Sequence, residues 1–306
     1  MSVRTYNHSV LIGNWNEDIC LEEDKLKDFL DKKERGELLI QKASNLLGNI
    51  LKKVDLSISH DGFLHFGDVV CLYNPAHQVL LSANMSEAKM QDAKCLSGPC
   101  ELSASKSLQP CVRNTFIILS PDANQEGQVL RYGQPFILST LPGVGGELKV
   151  HSDHVTFNRA SKKSRKQEVN LTENTSFTAH WNFLCFNPQE RLESDGMPVL
   201  ANQRILVNHC KTNQHLACMP EFSSRTPFGR EFEVASHTFL DSHRAEKPVN
   251  HWVVLTRMVE DAAEQYEVEK EQMMKPSQNL ETFDEPPQGG ATYATQPDNP
   301  AQTNGS

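Results

Sequence analysis

Two histidines and two cysteines fall within ten residues, His209-Cys210-Lys211-Thr212-Asn213-Gln214-His215-Leu216-Ala217-Cys218. Imidazole and thiolate are the side chains that hold zinc, so this is the most metal-like cluster in the chain. Its His-Cys-x4-His-x2-Cys spacing lacks the paired-ligand form of structural zinc sites, and a repeat described below accounts for the same residues without a metal. His237-Thr238-Phe239-Leu240-Asp241-Ser242-His243-Arg244 collects Ser, His and Asp, the parts of a nucleophilic triad. Neighbours on one strand or turn rarely converge on a single substrate atom, and no oxyanion-hole element accompanies them, so a hydrogen-bonded polar turn is the stronger reading. Gly143-Val144-Gly145-Gly146 imitates a nucleotide-binding loop, but Leu148 stands where the third glycine is needed, and a hairpin loop is expected. The chain has no phosphate-binding loop of the G-x-x-x-x-G-K-[ST] type, no G-x-S-x-G and no H-E-x-x-H. These residues point to a protein that is not an enzyme and needs no cofactor or metal.

Two features suit binding. Arg159, Lys162, Lys163, Arg165 and Lys166 put five positive charges into eight residues. A solvated loop is one reading and a docking patch for an acidic protein surface is another. A nuclear-localisation or nucleic-acid patch is the third, disfavoured because no aromatic residues interleave the charges. Trp15, in Ile12-Gly13-Asn14-Trp15-Asn16-Glu17-Asp18, sits in a stretch too polar for a core strand. Either this is a loop tucked onto the body, or an arm whose indole anchors in a partner's pocket.

The elements behind these residues repeat three times. An acid-glycine pair opens each unit, at Asp61-Gly62, Glu126-Gly127 and Asp195-Gly196, and supplies turn chemistry. The first and third units align at a constant offset of 134 residues over five positions, among them Gly67 with Ala201 and Asn74 with Asn208. Runs such as Leu64-x-Phe66 and Val70-x-Leu72 alternate as half-buried strands do. Each unit closes on one large aromatic followed by apolar residues, at Phe116, Trp181 and Trp252, and two of the three tryptophans in the chain hold this one position. Three four-stranded units with one core aromatic apiece predict an all-β fold, a β-trefoil, since three blades are too few for a propeller and an immunoglobulin-like sandwich would not repeat in one core. The closing aromatic plan resembles the MIR-type β-trefoil of protein mannosyltransferases and inositol-trisphosphate receptors, a likeness of architecture that carries little about function.

The division expected is an N-terminal arm with amphipathic helices over 1–55, a trefoil over 56–257 with repeats at about 56–119, 120–186 and 187–257, and an acidic, largely disordered tail over 258–306. Residues 21–54 read as helix, with a short apolar face at Leu26, Phe29 and Leu30, a break at Arg35-Gly36, and a second stripe from Leu39 to Val54 that is expected to pack on the protein's own body. Beyond 258, ten acids and two lysines account for eight of the nine net negative charges, and five prolines follow Met274, so this part cannot offset its ordering entropy. The near-neutral remainder argues against a nucleic-acid coat. With 38% hydrophobic residues, a mean hydropathy of −0.50 and no long apolar run, neither a membrane span nor a secretion signal is expected. The eight cysteines then read as free thiols of a reducing compartment, and the Asn84, Asn170 and Asn174 acceptor motifs as chance matches.

Seven stretches, IGNWNED (12–18), KDFL (27–30), GELLIQ (36–41), RNTFIILS (113–120), GQVLRYGQ (127–134), VNHC (207–210) and HTFLDSHRAEKPVNHW (237–252), resemble the cilia- and flagella-associated protein 161 family. The resemblance implies a structural microtubule inner protein of the axoneme that binds the luminal face of the α/β-tubulin lattice of the A-tubule beside other inner proteins and stabilises doublets for beating. It implies no activity, no cofactor, and no nucleic-acid, membrane or small-molecule partner, with a cytoplasmic, cytoskeletal location in cilium or flagellum. It carries over no binding residue. The competing reading is a ligand-binding trefoil for a sugar or an inositol phosphate.

Overall fold

The computed structural model describes residues 15–258 except 92, 123 and 124. The segment before Trp15, the Trp15 side chain and the acidic tail after Met258 lie outside the described residues.

Two helices come first, α1 (Trp15–Glu34) and α2 (Leu39–Ile50). Glu17 and Asp18 in the first turn of α1 and Lys32 and Lys33 in its last turn complement the helix dipole, and Asp28 pairs with Lys32 at 2.7 Å. Of the stretch 12–18, read either as a loop on the body or as an anchoring arm, the described part from Trp15 on is the first turn of a helix, whose acids favour a helix start. Gly36, with φ of +71°, ends the helix. The second helix stops at Ile50, short of Val54, because the chain beyond it is claimed by another backbone: Val54 N–H donates to Pro110 O and Val112 N–H to Lys52 O.

The strands are β1 (Ile58–Ser59), β2 (Val69–Asn74), β3 (Val79–Asn84), β4 (Cys100–Ser105), β5 (Phe116–Leu119), β6 (Pro135–Thr140), β7 (Lys149–Ser152), β8 (Gln167–Thr172), β9 (Trp181–Cys185), β10 (Arg204–His209), β11 (Gln214–Thr226), β12 (Gly229–Ser236), β13 (His251–Leu255) and β14 (Arg257–Met258), with a one-turn helix α3 (Glu87–Met90) after β3. Strands β2, β5, β6, β9, β10 and β13 pair antiparallel around a closed ring. Hairpins β3–β4, β7–β8 and β11–β12 cover one end, where β4, β8 and β12 pair with one another. A six-stranded barrel capped by three hairpins is a β-trefoil. Closure leaves the barrel no free edge.

The pseudo-threefold axis is written in backbone hydrogen bonds. Leu64 N–H donates to Val199 O (3.0 Å), Val199 N–H to Leu130 O (2.9 Å) and Leu130 N–H to Leu64 O (2.8 Å), so three fully buried residues close a ring. A second set ties Gly67 N–H to Ile118 O, Gly133 N–H to Phe183 O and Asn202 N–H to Val254 O. Gly67, Gly133 and Asn202 all have positive φ, at 96°, 78° and 58°. The equivalent of Gly67 is thus Asn202, not Ala201, and that of Asn74 is His209, not Asn208. Units two and three carry one more residue than unit one between the turn glycine and the ring, which turns the offset of 134 into 135.

Phe116, Trp181 and Trp252 are fully buried at equivalent places in the three closing strands. The indole N–H of Trp181 donates to Val150 O (2.9 Å) and that of Trp252 to Leu216 O (3.0 Å), so neither buried donor is orphaned. Leu46 and Ile50 of α2 join the same core, with Ala43 and Leu47 packed against it, as expected of that stripe. None of the described helices is long and apolar enough to cross a membrane.

Candidate functional site

The histidine–cysteine cluster is explained by the repeat. His209 stands where unit one has Asn74, and both side chains reach the short 3-10 segment that leads into a closing strand. Asn74 donates to Pro248 O, Val249 O and His251 O, while His209 Nε2 lies 2.9 Å from Thr178 O and its Nδ1 2.8 Å from Thr212 Oγ1. With both ring nitrogens engaged, His209 has no lone pair turned to an empty site. His215 Nε2 is 3.2 Å from Glu246. Burial pushes the Cys210 thiol up to about 11 and Cys218 to about 12, far from the thiolate a metal needs. Among the described residues no three His, Cys, Asp or Glu side chains form a metal-binding group.

The 237–244 stretch is a hairpin turn. Asp241 Oδ1 accepts the N–H groups of His243 (2.8 Å) and Ala245 (2.9 Å), and Leu240 bridges Glu246. Asn250 fixes its base, accepting from Phe239 N–H and donating to His215 O, Leu216 O and His237 O. Glu246 receives both terminal nitrogens of Arg191, at 3.1 and 3.0 Å. Burial pushes its carboxyl up, but the Arg191 hydrogen bonds and charge outweigh this and hold it below the usual range. Asp241 faces backbone amides and Glu246 faces Arg191, so the acids of this stretch orient a loop and no serine. Gly146 ends the glycine-rich stretch of β6–β7 with φ of +74°, and a Cβ there would run into Leu96 O, so its glycine serves packing.

The basic residues sit in the long β7–β8 loop, where Arg159, Lys162, Lys163 and Arg165 are exposed and Lys166 is half-buried. Much of their charge is answered within the chain. Arg159 lies 3.6 Å from Asp153, Lys162 pairs with Glu101, the Lys163 ammonium donates to Ser223 O, and Glu233 accepts the N–H groups of Lys163 and Ser164. The field on this side is therefore weaker than five unopposed charges. Sequence reasoning also missed an aromatic here. Phe157, two residues before Arg159, is 89% exposed, and Arg165 donates to its carbonyl at 3.5 Å. Its signal was only its place between Val155 and the first arginine.

Beside this loop, at the junction of β4, β8 and β12, lies a cleft of about 670 Å³. Leu102, Val169 and Val234 line it at equivalent places in the three units, as do Glu101, Glu168 and Glu233, with Lys89, Lys162, Lys163 and Arg225 among them. The cleft therefore carries charges of both signs.

A six-stranded barrel capped by three hairpins, with its polar clusters hydrogen-bonded to its own loops, places the chain in the class of β-trefoil proteins. Residues 42–257 match the family model described as "Cilia- and flagella-associated protein 161-like domain". Over 267 residues the chain is 46% identical to cilia- and flagella-associated protein 161 of Danio rerio, covering 83% of this chain and 89% of that protein. The Bos taurus protein of the same name is 45% identical over 268 residues, covering 84% of each. The chain belongs to the cilia- and flagella-associated protein 161 family. Among solved structures, the SDF2-like protein from Arabidopsis thaliana is similar over 63% of this chain and 94% of its own, with a TM-score of 0.48 and 17% identity.

Proposed function

We propose that this chain is a structural protein of the ciliary and flagellar axoneme, a microtubule inner protein on the luminal wall of the A-tubule that contacts the tubulin lattice and neighbouring inner proteins and stabilises the doublet for beating. The observation that carries the reading is family membership across the whole trefoil, with relatives that bear a cilia- and flagella-associated name. A trefoil that spends its polar residues on its own loops is suited to a fixed structural role. The β7–β8 loop offers one tubulin contact, with Phe157 as an apolar tip among Arg159, Lys162, Lys163, Arg165 and Lys166 against an acidic lattice. Trp15, at the start of α1, is a separate anchor for a pocket in a partner protein. The test is fractionation of motile cilia: the protein should stay with doublets through detergent and leave only when doublets are dismantled, whereas release with membrane and matrix would sink the reading.

The cleft favours a second reading, a ligand-binding trefoil. A thermal-stability screen against sugars and inositol phosphates tests it, since any ligand that binds only the folded state raises the midpoint.

A further inference from the structure

Among the described side chains of helix α1 none is buried. Every side chain from Glu17 to Glu34 is exposed, while α2, four residues further on, sinks Leu46 and Ile50 into the core. Yet α1 is amphipathic. Ile19, Leu26, Phe29 and Leu30 are 43%, 59%, 47% and 45% exposed and fall, at 100° per residue, on one stripe about 100° wide that also takes in Glu22 and Lys33, while Leu21, 52% exposed, stands alone on the opposite face. A helix of 20 residues and about 30 Å draws most of its stability in a protein from packing such a stripe. The Asp24–Lys27 and Asp28–Lys32 pairs add only a few tenths of a kilocalorie each at exposed positions.

The charges on α1 say what covers the stripe. Its first ten residues hold five acids and no base, and its last ten hold four lysines and three acids. The chain's own tail after Met258 has ten acids and two lysines, so it is repelled by the Glu17–Asp24 half. A membrane interface wants lysine and arginine around the apolar face, and the acidic half is repelled by anionic headgroups. We propose that the Ile19–Leu26–Phe29–Leu30 stripe docks lengthwise into an apolar groove of another protein, whose rim is basic where it meets Glu17–Asp24. This is the helix-in-groove mode, with the acidic half setting direction. The inference goes beyond the axonemal reading and does not depend on it.

The test places a photo-reactive benzoylphenylalanine at Leu26, at Phe29 or, as a control on the opposite face, at Asp28 of the full chain, in ciliated cells. Irradiation follows the protein into whichever fraction holds it, so failure of the axonemal reading leaves this result readable. The expected outcome is that the Leu26 and Phe29 probes capture one and the same other protein, at a segment rich in lysine or arginine, and that the Asp28 probe does not. Capture of this chain's own segments, of a second copy, of lipid or of an acidic segment, or capture of nothing, overturns the proposal. L26S and F29S chains, with an unchanged trefoil unfolding midpoint, should compete with the unlabelled chain at least tenfold less well for that partner, and equal competition also overturns it.

Discussion

Arg113 and Glu231, 118 residues apart, form a buried ion pair in which one guanidinium nitrogen donates to both carboxylate oxygens at 2.8 and 2.9 Å. The two side chains are 3% and 2% exposed. Arg113 Nε also donates to Ala83 O, Ser103 Oγ donates to Glu231, and the Phe228 ring covers the guanidinium at 3.7 Å. The pair locks the approach to closing strand β5 onto hairpin β11–β12, so unit one is bolted to unit three. Removing one partner strands the other charge, and R113A or E231Q should lower stability by about 3–5 kcal/mol in urea unfolding. A joint R113M/E231L change should cost much less than the sum of R113M and E231L made singly, and additive losses would contradict the pairing.

The closing aromatics differ in one atom that matters. W181F and W252F remove the indole donors of Val150 O and Leu216 O and, the phenyl ring being smaller than the indole, leave a gap as well, although Leu216 O keeps its bond from Asn250. Each should cost about 1–3 kcal/mol, against about 3–5 for the alanine changes. Denaturant midpoints check this. F116L has no hydrogen bond to lose and should cost only its lost packing.

Acid should weaken the fold through its buried histidines. His209, His215 and His251 are each held below the ordinary 6.5, chiefly by burial, against opposing pulls from Thr178 O on His209 and from Glu246 on the other two. A folded-state value below the unfolded one means that the neutral ring's contribution is complete above 6.5 and is lost as pH falls through the lowered values. Denaturant midpoints should fall as pH drops below 6.5, and less steeply in H209Q. Glu246, held low, adds a second loss only further into acid. A flat profile across the first window would contradict the burial of these rings.

The two helices should behave oppositely. Deleting 15–34 removes a helix whose described side chains are all exposed and should leave the unfolding midpoint of the body in place, whereas L46A, in the core, should cost about 2–5 kcal/mol. Calorimetry on the two variants separates them.

The three closing aromatics were legible in the sequence because a large residue at one place in every repeat is hard to produce by chance, and the trefoil followed from them. The register was misread by one residue because the extra residue in units two and three sits between a turn glycine and its strand, where no side chain pattern marks it. The Arg113–Glu231 pair was invisible: nothing local to either residue signals a partner 118 positions away. Trp15-Asn16-Glu17-Asp18 looked like a loop because it is polar, although acids in a first turn are also a helix start. Phe157 went unnoticed beside five charges, since exposure is a property of the folded loop. In the metal-like and triad-like clusters, His209 and Asp241 are hydrogen-bonded to backbone or hydroxyl groups close by, partners that the local sequence does not reveal.

The most direct test of the structural role is extraction of motile axonemes, first with detergent, then with salt, then under conditions that dismantle doublets, with immunoblotting of each step. A doublet-lumen protein should appear only at the last step, in the wild type, and the R159E/K162E/K163E/R165E/K166E chain should be depleted from doublets. Appearance of the wild-type protein in the detergent extract would contradict the account.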